Sequence, residues 1–370
     1  MIKKNNKIVV TGANGFVGKN LCLHLEEGGY LNIEKILSDT SDQQIVNILK
    51  DADLVIHLAG VNRTDDDVNF KKGNVDLTKK IVEILKQNKQ SPIFFASSIQ
   101  AELANPYGKS KREAELLISN YSDETKSKSI IMRYPNLFGK WCKPNYNSVV
   151  ATFCHNVAHS KEIVVHDPKK EINLHYIDDL CNELLSLINS NMEGILSPKL
   201  TYKITLGQLA KTIKSYKEVR ESLVVEEVGY GLSRNLYATY LSYQDPEDFI
   251  YRIKKNEDER GNFSEFLKTK KSGQFSFFTI KPNKTRGNHY HHTKNEKFLI
   301  MKGKAKFAFK NLITKKELFI EVSDDENLVI ESIPGWSHNI KNVGEEDLYA
   351  ILWANEIYDS KNPDTIFKPI

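Results

Sequence analysis

Hydrophobic residues in the first half of the chain fall into short uninterrupted runs, separated by longer stretches with apolar positions at helical spacing. Uninterrupted runs are typical of strands that are buried on both faces of a parallel sheet. The predicted strands are residues 8–10, 33–37, 54–59, 92–96 and 130–133. The predicted helices are residues 16–25, 77–85 and 109–118. Strands that alternate with helices in this way predict an α/β fold with a doubly wound parallel sheet.

Beyond about residue 272 the hydrophobic pattern changes to a period of two, with turn residues at short intervals. The predicted strands there include residues 275–280, 306–309, 318–320, 328–330 and 349–353. Short alternating strands with regular turns predict an all-β barrel or jelly roll. The polar stretch 244–248, which contains a proline, is the expected boundary. The chain is therefore predicted to form two domains, residues 1–245 and 246–370.

Composition and charge narrow the class of protein. A length of 370 residues exceeds one ordinary core, and 40% hydrophobic with 27% charged residues is typical of a soluble globular protein. The net charge is only +4, and no basic stretch is interleaved with aromatics, so nucleic-acid binding is not expected. The four cysteines form no C-x-x-C pair, and no segment has the apolar length of a signal peptide or membrane span. These features predict a cytoplasmic protein without a membrane partner.

The first predicted strand leads into Thr11-Gly12-Ala13-Asn14-Gly15-Phe16-Val17-Gly18. In a strand–turn–helix, the first glycine permits the turn, the second lets the backbone approach a pyrophosphate, and the third lets helix and sheet pack closely. The pyrophosphate then lies at the helix N-terminus. An ordinary glycine-rich turn is the alternative, but the position after the first strand favours a Rossmann-like dinucleotide site. Its predicted residues are Gly12, Asn14, Gly15, Phe16, Val17 and Gly18.

Tyr107 and Lys111 are four residues apart and therefore share one face of a helix. A lysine ammonium beside a phenol lowers the pKa of the phenol, which suits general acid–base catalysis. Ser98 closes the preceding strand and could polarise a carbonyl. An isolated Y-x-x-x-K is more often a solvated surface pair, so this prediction depends on its combination with the glycine motif.

These motifs, together with the segments 57–60 and 133–139, resemble the extended short-chain dehydrogenase/reductase family over about the first two-thirds of the chain. The resemblance implies nucleotide-sugar substrates and the catalytic residues Ser98, Tyr107 and Lys111, with Lys111 also touching the nicotinamide ribose. It adds Leu58, Ala59, Gly60, Tyr107 and Lys111 to the cofactor site. Only eight residues separate Ser98 from Tyr107, fewer than in most members of the family, and Ser97 is therefore the alternative serine.

In the C-terminal region, His289 and His291 are two residues apart, so on a strand they face the same side. Glu296 follows after room for a short turn, and His338 comes from a later strand. His292 should point the other way. Three imidazoles and a carboxylate suit zinc or a similar divalent cation. The alternative is a histidine cluster on a solvent-exposed face.

The spacing G-x-H-x-H, then glutamate, then Gly303 and a distant histidine resembles the cupin superfamily. Residues 258–265 and 334–338 also resemble the sugar 3,5-epimerase branch of the cupins. That branch is normally free of metal, and Glu296 departs from it. The epimerase's catalytic groups therefore cannot be transferred unchanged.

The fusion of both parts resembles the CapF-type family of bifunctional capsular-polysaccharide enzymes, with matching stretches at 138–148 and 287–296. This resemblance implies a UDP-2-acetamido-2,6-dideoxy-4-keto-hexose that is epimerised at C3 and then reduced at C4. It implies NADP(H) as cofactor, whereas Asp39 near the end of the second strand favours NAD(H), which stays open. Asn136 and Lys143 are the expected substrate contacts, and the resemblance to cupins, which commonly pair through strands, implies a homodimer.

Two other functions remain compatible with the sequence. One is a single-function nucleotide-sugar 4-ketoreductase whose metal-binding cupin serves as a structural, dimerising module. The other is a redox sensor that binds NADP(H) and no substrate. Tyr107 and Lys111 argue against the sensor, because a sensor needs no acid–base pair.

Overall fold

The computed structural model describes residues 2–254, 256–258, 261–263, 266–269, 273–356 and 359–370, with 256–258 and 261–263 described as backbone. The chain divides into two compact units, Met1–Ser148 with Ile172–Ile204 and Val149–Glu171 with Thr205–Ile370. This division differs from the predicted boundary, since residues 149–171 and 205–245 group with the second unit. The assignment of one function to 1–245 and another to 246–370 stays a prediction.

The α-helices and the first nine strands are as follows. The strands are β1 Lys7–Thr11, β2 Asn32–Ile36, β3 Leu54–His57, β4 Ile93–Ser98, β5 Ser129–Tyr134, β6 Asn136–Phe138, β7 Glu171–Tyr176, β8 Gly194–Leu196 and β9 Tyr202–Thr205. The helices are α1 Phe16–Glu27, α2 Asp42–Leu49, α3 Val68–Phe70, α4 Leu77–Gln87, α5 Pro106–Thr125, α6 Val149–Ala158, α7 Ile177–Ile188, α8 Leu206–Ser222 and α9 Gly231–Leu241. A π-helix, Lys71–Asp76, joins α3 to α4, and 3-10 helices occupy Ile99–Glu102 and Pro246–Phe249.

The first unit is built on a parallel sheet in the order β2-β1-β3-β4-β5-β8. Strand order reverses between β1 and β3, and the crevice at the carboxyl ends of such strands is where doubly wound folds bind ligands. The β3 strand is completely buried, because its neighbours cover both edges and helices cover its faces. The predicted α/β fold is confirmed.

Local sequence explains where the helices of the first unit begin. The Ser41 side chain accepts from Gln44 N–H, and Gln44 reaches back to the Ser41 N–H, so α2 starts with a capping box. Asn105 caps α5 by accepting from Gly108 N–H over 2.7 Å, and Pro106 occupies the first helical position. The start of α5 is therefore fixed next to the carboxyl end of β4.

The second unit contains helices α6, α8 and α9 and the remaining strands. They are β10 Val224–Val225, β11 Ile250–Arg252, β12 Asn256–Asp258, β13 Gly261–Phe263, β14 Lys268–Thr269, β15 Gln274–Ile280, β16 Thr285–Tyr290, β17 Glu296–Lys302, β18 Lys304–Asn311, β19 Glu317–Ser323, β20 Leu328–Glu331, β21 Trp336–Asn342, β22 Leu348–Ala354 and β23 Ile366–Phe367. Two antiparallel five-stranded sheets have the orders β11-β20-β17-β22-β15 and β19-β18-β21-β16-β23. The predicted all-β, cupin-like region is confirmed.

A buried ion cluster links α8 to the first of these sheets. Glu331 forms an ion pair with Lys297 and accepts from Arg220 Nη2 over 2.8 Å. Lys297 also donates to the Tyr251 hydroxyl over 3.2 Å. Lys297 and Glu331 are almost inaccessible to solvent. Because neither charge can be hydrated, each depends on the other and on Arg220.

Candidate functional site

The glycine-rich turn after β1 has the close approaches that the motif requires. Gly12 has φ +69°, and a Cβ there would lie 2.8 Å from Ala59 N. A Cβ on Gly18 would lie 2.3 Å from the Gly12 carbonyl oxygen. Helix α1 begins directly after Gly15 without a side-chain cap or an acidic residue in its first turn. Its first N–H groups therefore remain available to an anion such as a pyrophosphate.

Beneath this turn lies a buried chain of hydrogen bonds that the sequence did not predict. Thr78 donates to the Asn74 carbonyl over 2.6 Å, so its oxygen accepts from His57 Nε2, 2.9 Å away. His57 Nδ1 is then the acceptor for the Thr11 hydroxyl, at 2.7 Å. Thr11 in turn accepts from Ala59 N–H over 3.1 Å. Burial lowers the pKa of His57 to about 3, so a neutral imidazole connects the turns after β1 and β3.

Tyr107 and Ser98 meet although the connection between them is short. The 3-10 helix 99–102 packs directly on α5, and a Cβ on Gly108 would lie 2.1 Å from the Gln100 carbonyl oxygen. Only glycine permits this approach, which brings the Tyr107 phenol to the Ser98 side chain. Burial raises the pKa of Tyr107, while its hydrogen bond with Ser98 acts in the opposite direction. The phenol is therefore protonated at neutral pH.

Ser97 has a different environment from Ser98. Its hydroxyl donates to Glu115 Oε1 over 2.5 Å, and Glu115 also accepts from Arg133 Nε over 3.0 Å and Nη2 over 2.6 Å. Ser98 Oγ accepts from the Gln100 N–H over 3.2 Å. Ser97 is thus part of a buried carboxylate–guanidinium group, whereas Ser98 adjoins Tyr107.

Lys111 does not act on Tyr107 as the sequence predicted. Its Nζ donates to the Ala96 carbonyl over 2.8 Å and lies 4.4 Å from the centre of the Phe95 ring. Burial lowers the pKa of Lys111 to about 8, with Glu115 acting in the opposite direction. The predicted lowering of the Tyr107 pKa by Lys111 is wrong for this structure, because burial of the phenol dominates.

One cavity of about 650 Å³ in the first unit collects most of the predicted residues. Its lining includes Gly12, Asn14, Gly15, Phe16, Val17, Gly18, Leu58, Gly60, Ser98, Tyr107, Asn136 and Lys143. Ala59 and Lys111 lie behind this lining: Ala59 N–H bonds Thr11, and Lys111 Nζ would be 3.8 Å from a Cβ on Gly60. The N-terminus of α1 at this cavity suits the pyrophosphate of a dinucleotide, and the hydroxyl groups in its lining suit a sugar.

The four predicted metal ligands come together between the two sheets of the second unit. The ligand atoms of His289, His291, Glu296 and His338 all lie within 4.8 Å of one another. Glu296 Oε2 is 3.2 Å from both His291 Nε2 and His338 Nε2. His292 lies outside this group of four, as predicted. All but His289 are buried, and His289 borders a cavity.

The protonation states of these residues suit a divalent cation. Burial, followed by the charges of His338 and His291, lowers the pKa of His289 to about 3. Burial acts to raise the pKa of Glu296, but His291 and His338 outweigh it and hold that pKa well below the ordinary value. His291 Nδ1 donates to the Asp364 carbonyl over 2.5 Å, so Nε2 is the nitrogen that faces the cluster. Metal ions bind histidine as the neutral imidazole and glutamate as the ionised carboxylate. The chemistry of these four residues therefore fits a divalent cation.

A cavity of about 200 Å³ adjoins His289, Glu296 and His338. Arg286, which the sequence did not single out, lines it because β16 contains a bulge between Gly287 and His289. The extra residue, Asn288 at φ +58°, shifts the alternation so that Arg286 and His289 share a face. Arg286 is the one arginine or lysine among the described residues of this lining.

Two stretches, 258–265 and 334–338, resemble the sugar 3,5-epimerase branch of the cupins. The side chains of 258–265 lie outside the described residues, whereas those of 334–338 are described. Trp336, from the stretch 334–338, is buried and packs edge-on against Phe249 with ring centres 5.0 Å apart. In the described part of this unit, the stretch 334–338 therefore supplies one metal-ligand candidate, His338, and a packing aromatic.

Two family models match the chain. Residues 8–198 match the NAD dependent epimerase/dehydratase family, and residues 256–366 match the polysaccharide biosynthesis C-terminal domain. The chain belongs to the NAD dependent epimerase/dehydratase family. At 40% identity over 98% of its length it is also a homologue of CapF, which confirms the predicted CapF-type resemblance.

Two of the relatives cover almost the whole chain. It is 43% identical over 362 residues to UDP-2-acetamido-2,6-beta-L-arabino-hexul-4-ose reductase of Pseudomonas aeruginosa, a match that spans 97% of each chain. The capsular polysaccharide assembling protein CapF from Staphylococcus aureus superposes with a TM-score of 0.67 at 40% identity, covering 98% of this chain and 100% of that one. UDP-N-acetylglucosamine 4-epimerase from Bacillus cereus has a TM-score of 0.52 at 23% identity over 58% of this chain and 82% of its own. The last comparison shows the fold alone.

Among the described residues, no helix has the length and apolar character needed to cross a membrane.

Proposed function

We propose that this chain is a bifunctional nucleotide-sugar enzyme. It epimerises C3 of a UDP-2-acetamido-2,6-dideoxy-4-keto-hexose in the cupin-like region and reduces the C4 ketone with NADPH in the first unit. The product is a UDP-N-acetyl-6-deoxy-talosamine-type precursor of capsular or O-antigen N-acetylfucosamine. The observation that carries the proposal is the presence of two separate sites, the hydroxyl pair Ser98–Tyr107 in a dinucleotide-type cavity and the cluster of three histidines and Glu296. The full-length match to a UDP-hexulose reductase supports it.

In the reduction, a bound nicotinamide supplies the hydride. Tyr107 is the proton donor for the developing alkoxide, because its raised pKa keeps the phenol protonated. Ser98 holds the ketone oxygen through its hydroxyl. Lys111 takes the position next to Gly60 that suits contact with a ribose, and its hydrogen bond to the Ala96 carbonyl supports a role in cofactor binding.

In the epimerisation, the C3 proton is acidic because the carbanion left behind delocalises into the C4 ketone. A divalent cation, most suitably zinc, would be held by His289, His291, Glu296 and His338 and would supply Lewis acidity at the keto oxygen. Arg286, at the same cavity, offers a cation to the diphosphate of the nucleotide. Reduction removes the ketone that acidifies C3, so epimerisation comes first.

The choice of NADP(H) over NAD(H) is also part of this proposal. Asp39 is exposed in the loop after β2, and the lining of the cavity does not include it. An acidic residue that contacts the ribose would repel a 2′-phosphate, so this displaced position supports NADPH. Comparing the dissociation constants of NADPH and NADH by fluorescence titration tests the choice.

A single-function reductase is the second candidate. Four protein ligands fill the tetrahedral shell that structural zinc prefers, which favours a structural cation. The exposure of His289 to a cavity favours the catalytic role instead. Both candidates share the homodimer prediction, which the edge strand β15 supports, since Phe275 and Phe277 there are 51% and 62% exposed. A cytoplasmic location is also part of the proposal.

The deciding experiment incubates the protein with the 4-keto UDP-sugar and NADPH in deuterated water and follows the sugar by NMR. Deuterium at C3 with inverted configuration, together with loss of the ketone, is the expected result. Tyr107→Phe should stop NADPH oxidation and leave C3 exchange intact. His289→Ala should stop C3 exchange and leave NADPH oxidation intact. Reduction without any C3 exchange would establish the single-function reductase, and loss of exchange in Tyr107→Phe would contradict two separate sites.

A further inference from the structure

The C-terminal segment, residues 359–370, lies against the metal-ligand candidates. Its strand β23 pairs with β16 beside His289. The Lys368 N–H donates to the Asn288 carbonyl over 2.7 Å, and the Ser337 hydroxyl on β21 donates to the Lys368 carbonyl. The segment is thus fastened to both strands that carry histidines of the cluster.

Within this segment, the Asp364 carboxylate binds the loop between His291 and Glu296. One oxygen accepts from the His292 N–H over 2.8 Å. The other accepts from the N–H groups of Thr293 and Lys294 over 2.7 and 2.8 Å, and from the Thr293 hydroxyl over 3.0 Å. Three consecutive backbone donors on one ionised group form a strong, directional set of contacts.

The backbone of the same residue acts on a ligand directly. The Asp364 carbonyl accepts from His291 Nδ1, which turns Nε2 into the cluster, 3.2 Å from Glu296 Oε2. A partner on the outer nitrogen of a ligand histidine fixes its tautomer and ring orientation. Asp364 therefore determines both where the loop lies and which nitrogen of His291 can bind a cation.

We propose that Asp364 is a positioning residue of the metal site and that, through it, the C-terminal segment sets the affinity for the divalent cation. The proposal rests on the proposed function in one respect, that the four ligands bind a cation. It requires neither the epimerase nor the reductase activity. Without the carboxylate, the three N–H groups lose their acceptor and the loop that carries His291 to Glu296 loses its fixed shape.

The test titrates the chelator-treated full chain with Co²⁺ and follows the visible absorption of the bound ion. Asp364→Asn keeps the backbone carbonyl that holds His291 but removes the anionic acceptor of the loop, so the Co²⁺ dissociation constant should rise about 10-fold, the lower end of the effect of losing a partner behind metal ligands. Asp359→Asn is the matched control, since Asp359 is exposed and, among the described residues, its carboxylate accepts from the nearby Lys361 N–H over 2.9 Å. This control should leave the dissociation constant unchanged.

A milder variant keeps the test decisive if Asp364→Asn folds poorly. Thr293→Val removes one of the four donors and should weaken Co²⁺ binding about fivefold, the effect of one hydrogen bond. Thermal unfolding of the metal-free proteins separates this effect from general stability. If Asp364→Asn or Thr293→Val bound Co²⁺ with wild-type affinity, the proposed role of Asp364 would be wrong and the metal site would stand. Absence of Co²⁺ uptake by the wild-type chain would overturn the metal site and the proposal together.

Discussion

The Ser97 hydroxyl donates to the buried Glu115 carboxylate, and Arg133 binds both oxygens of the same carboxylate. This contact separates the two adjacent serines at the end of β4. Ser97 is engaged by Glu115, and Ser98 is the serine beside Tyr107. Ser98 is therefore the serine that we assign to the ketone.

Exchanging each serine for alanine should produce different effects. Ser98→Ala should lower kcat for ketone reduction by about 10²-fold, because one preorganised donor is lost, with little change in stability. Ser97→Ala should reduce the free energy of unfolding by about 1–3 kcal/mol, since Glu115 loses a buried donor, and should retain most activity. Steady-state kinetics and urea unfolding of both variants provide the measurements. The opposite pattern would assign the ketone to Ser97.

Replacing Gly108 by alanine should disturb the approach of Tyr107 to Ser98. The added Cβ would lie 2.1 Å from the Gln100 carbonyl oxygen, so α5 must move away from the 3-10 helix. We expect a loss of about 1–3 kcal/mol in the free energy of unfolding and a large fall in kcat. Lys109→Ala, at the exposed neighbouring position, is the control and should leave both unchanged. Normal kcat in Gly108→Ala would show that this close packing does not position the phenol.

Lys111→Met should stabilise the protein while it lowers reductase activity. Burial lowers the pKa of Lys111 to about 8, so the folded state at pH 7 carries a poorly hydrated charge. Removing it should raise the free energy of unfolding by about 1–3 kcal/mol at pH 7. Between pH 8 and 10.5 the folded wild type is neutral at Lys111 while the unfolded chain still binds the proton, so the wild type recovers stability with rising pH. The advantage of Lys111→Met should therefore disappear by about pH 10.5, and unfolding at pH 7, 9 and 10.5 checks this. An advantage independent of pH would exclude the charge as its cause.

The cluster around Glu331 should be far more sensitive to substitution than surface ion pairs. Glu331→Gln leaves Lys297 buried without its anion and should cost about 3–5 kcal/mol of unfolding free energy. Glu346→Gln is the control, because the Lys302–Glu346 pair is exposed and solvent screens it, so its loss should leave stability nearly unchanged. Lys297 and Arg220 outweigh burial and lower the pKa of Glu331, so its contribution is present above pH 4.5 and is lost as the pH falls below that value. Equal losses in the two variants would contradict this account.

Much of the architecture follows from the sequence, because hydrophobic periodicity reports which faces are buried. Continuous apolar runs predicted the parallel strands, and alternation predicted the antiparallel sheets. The glycine motif could be located because only glycine allows the approaches at positions 12 and 18. The sequence spacing likewise predicted a ligand cluster, and the fold brings its members together: His289, His291, Glu296 and His338.

The tertiary structure decided what local spacing could not. Helical periodicity placed Lys111 on the face of Tyr107, yet the long lysine side chain reaches the Ala96 carbonyl instead. The sequence left Ser97 and Ser98 open, and the position of Glu115 separates them. Strict alternation along a strand cannot predict the bulge that places Arg286 and His289 on the same face. Asp364 is 73 residues from His291 in sequence, and no local pattern connects them. Periodicity determines which faces are buried, whereas partners distant in the chain meet only when those faces pack.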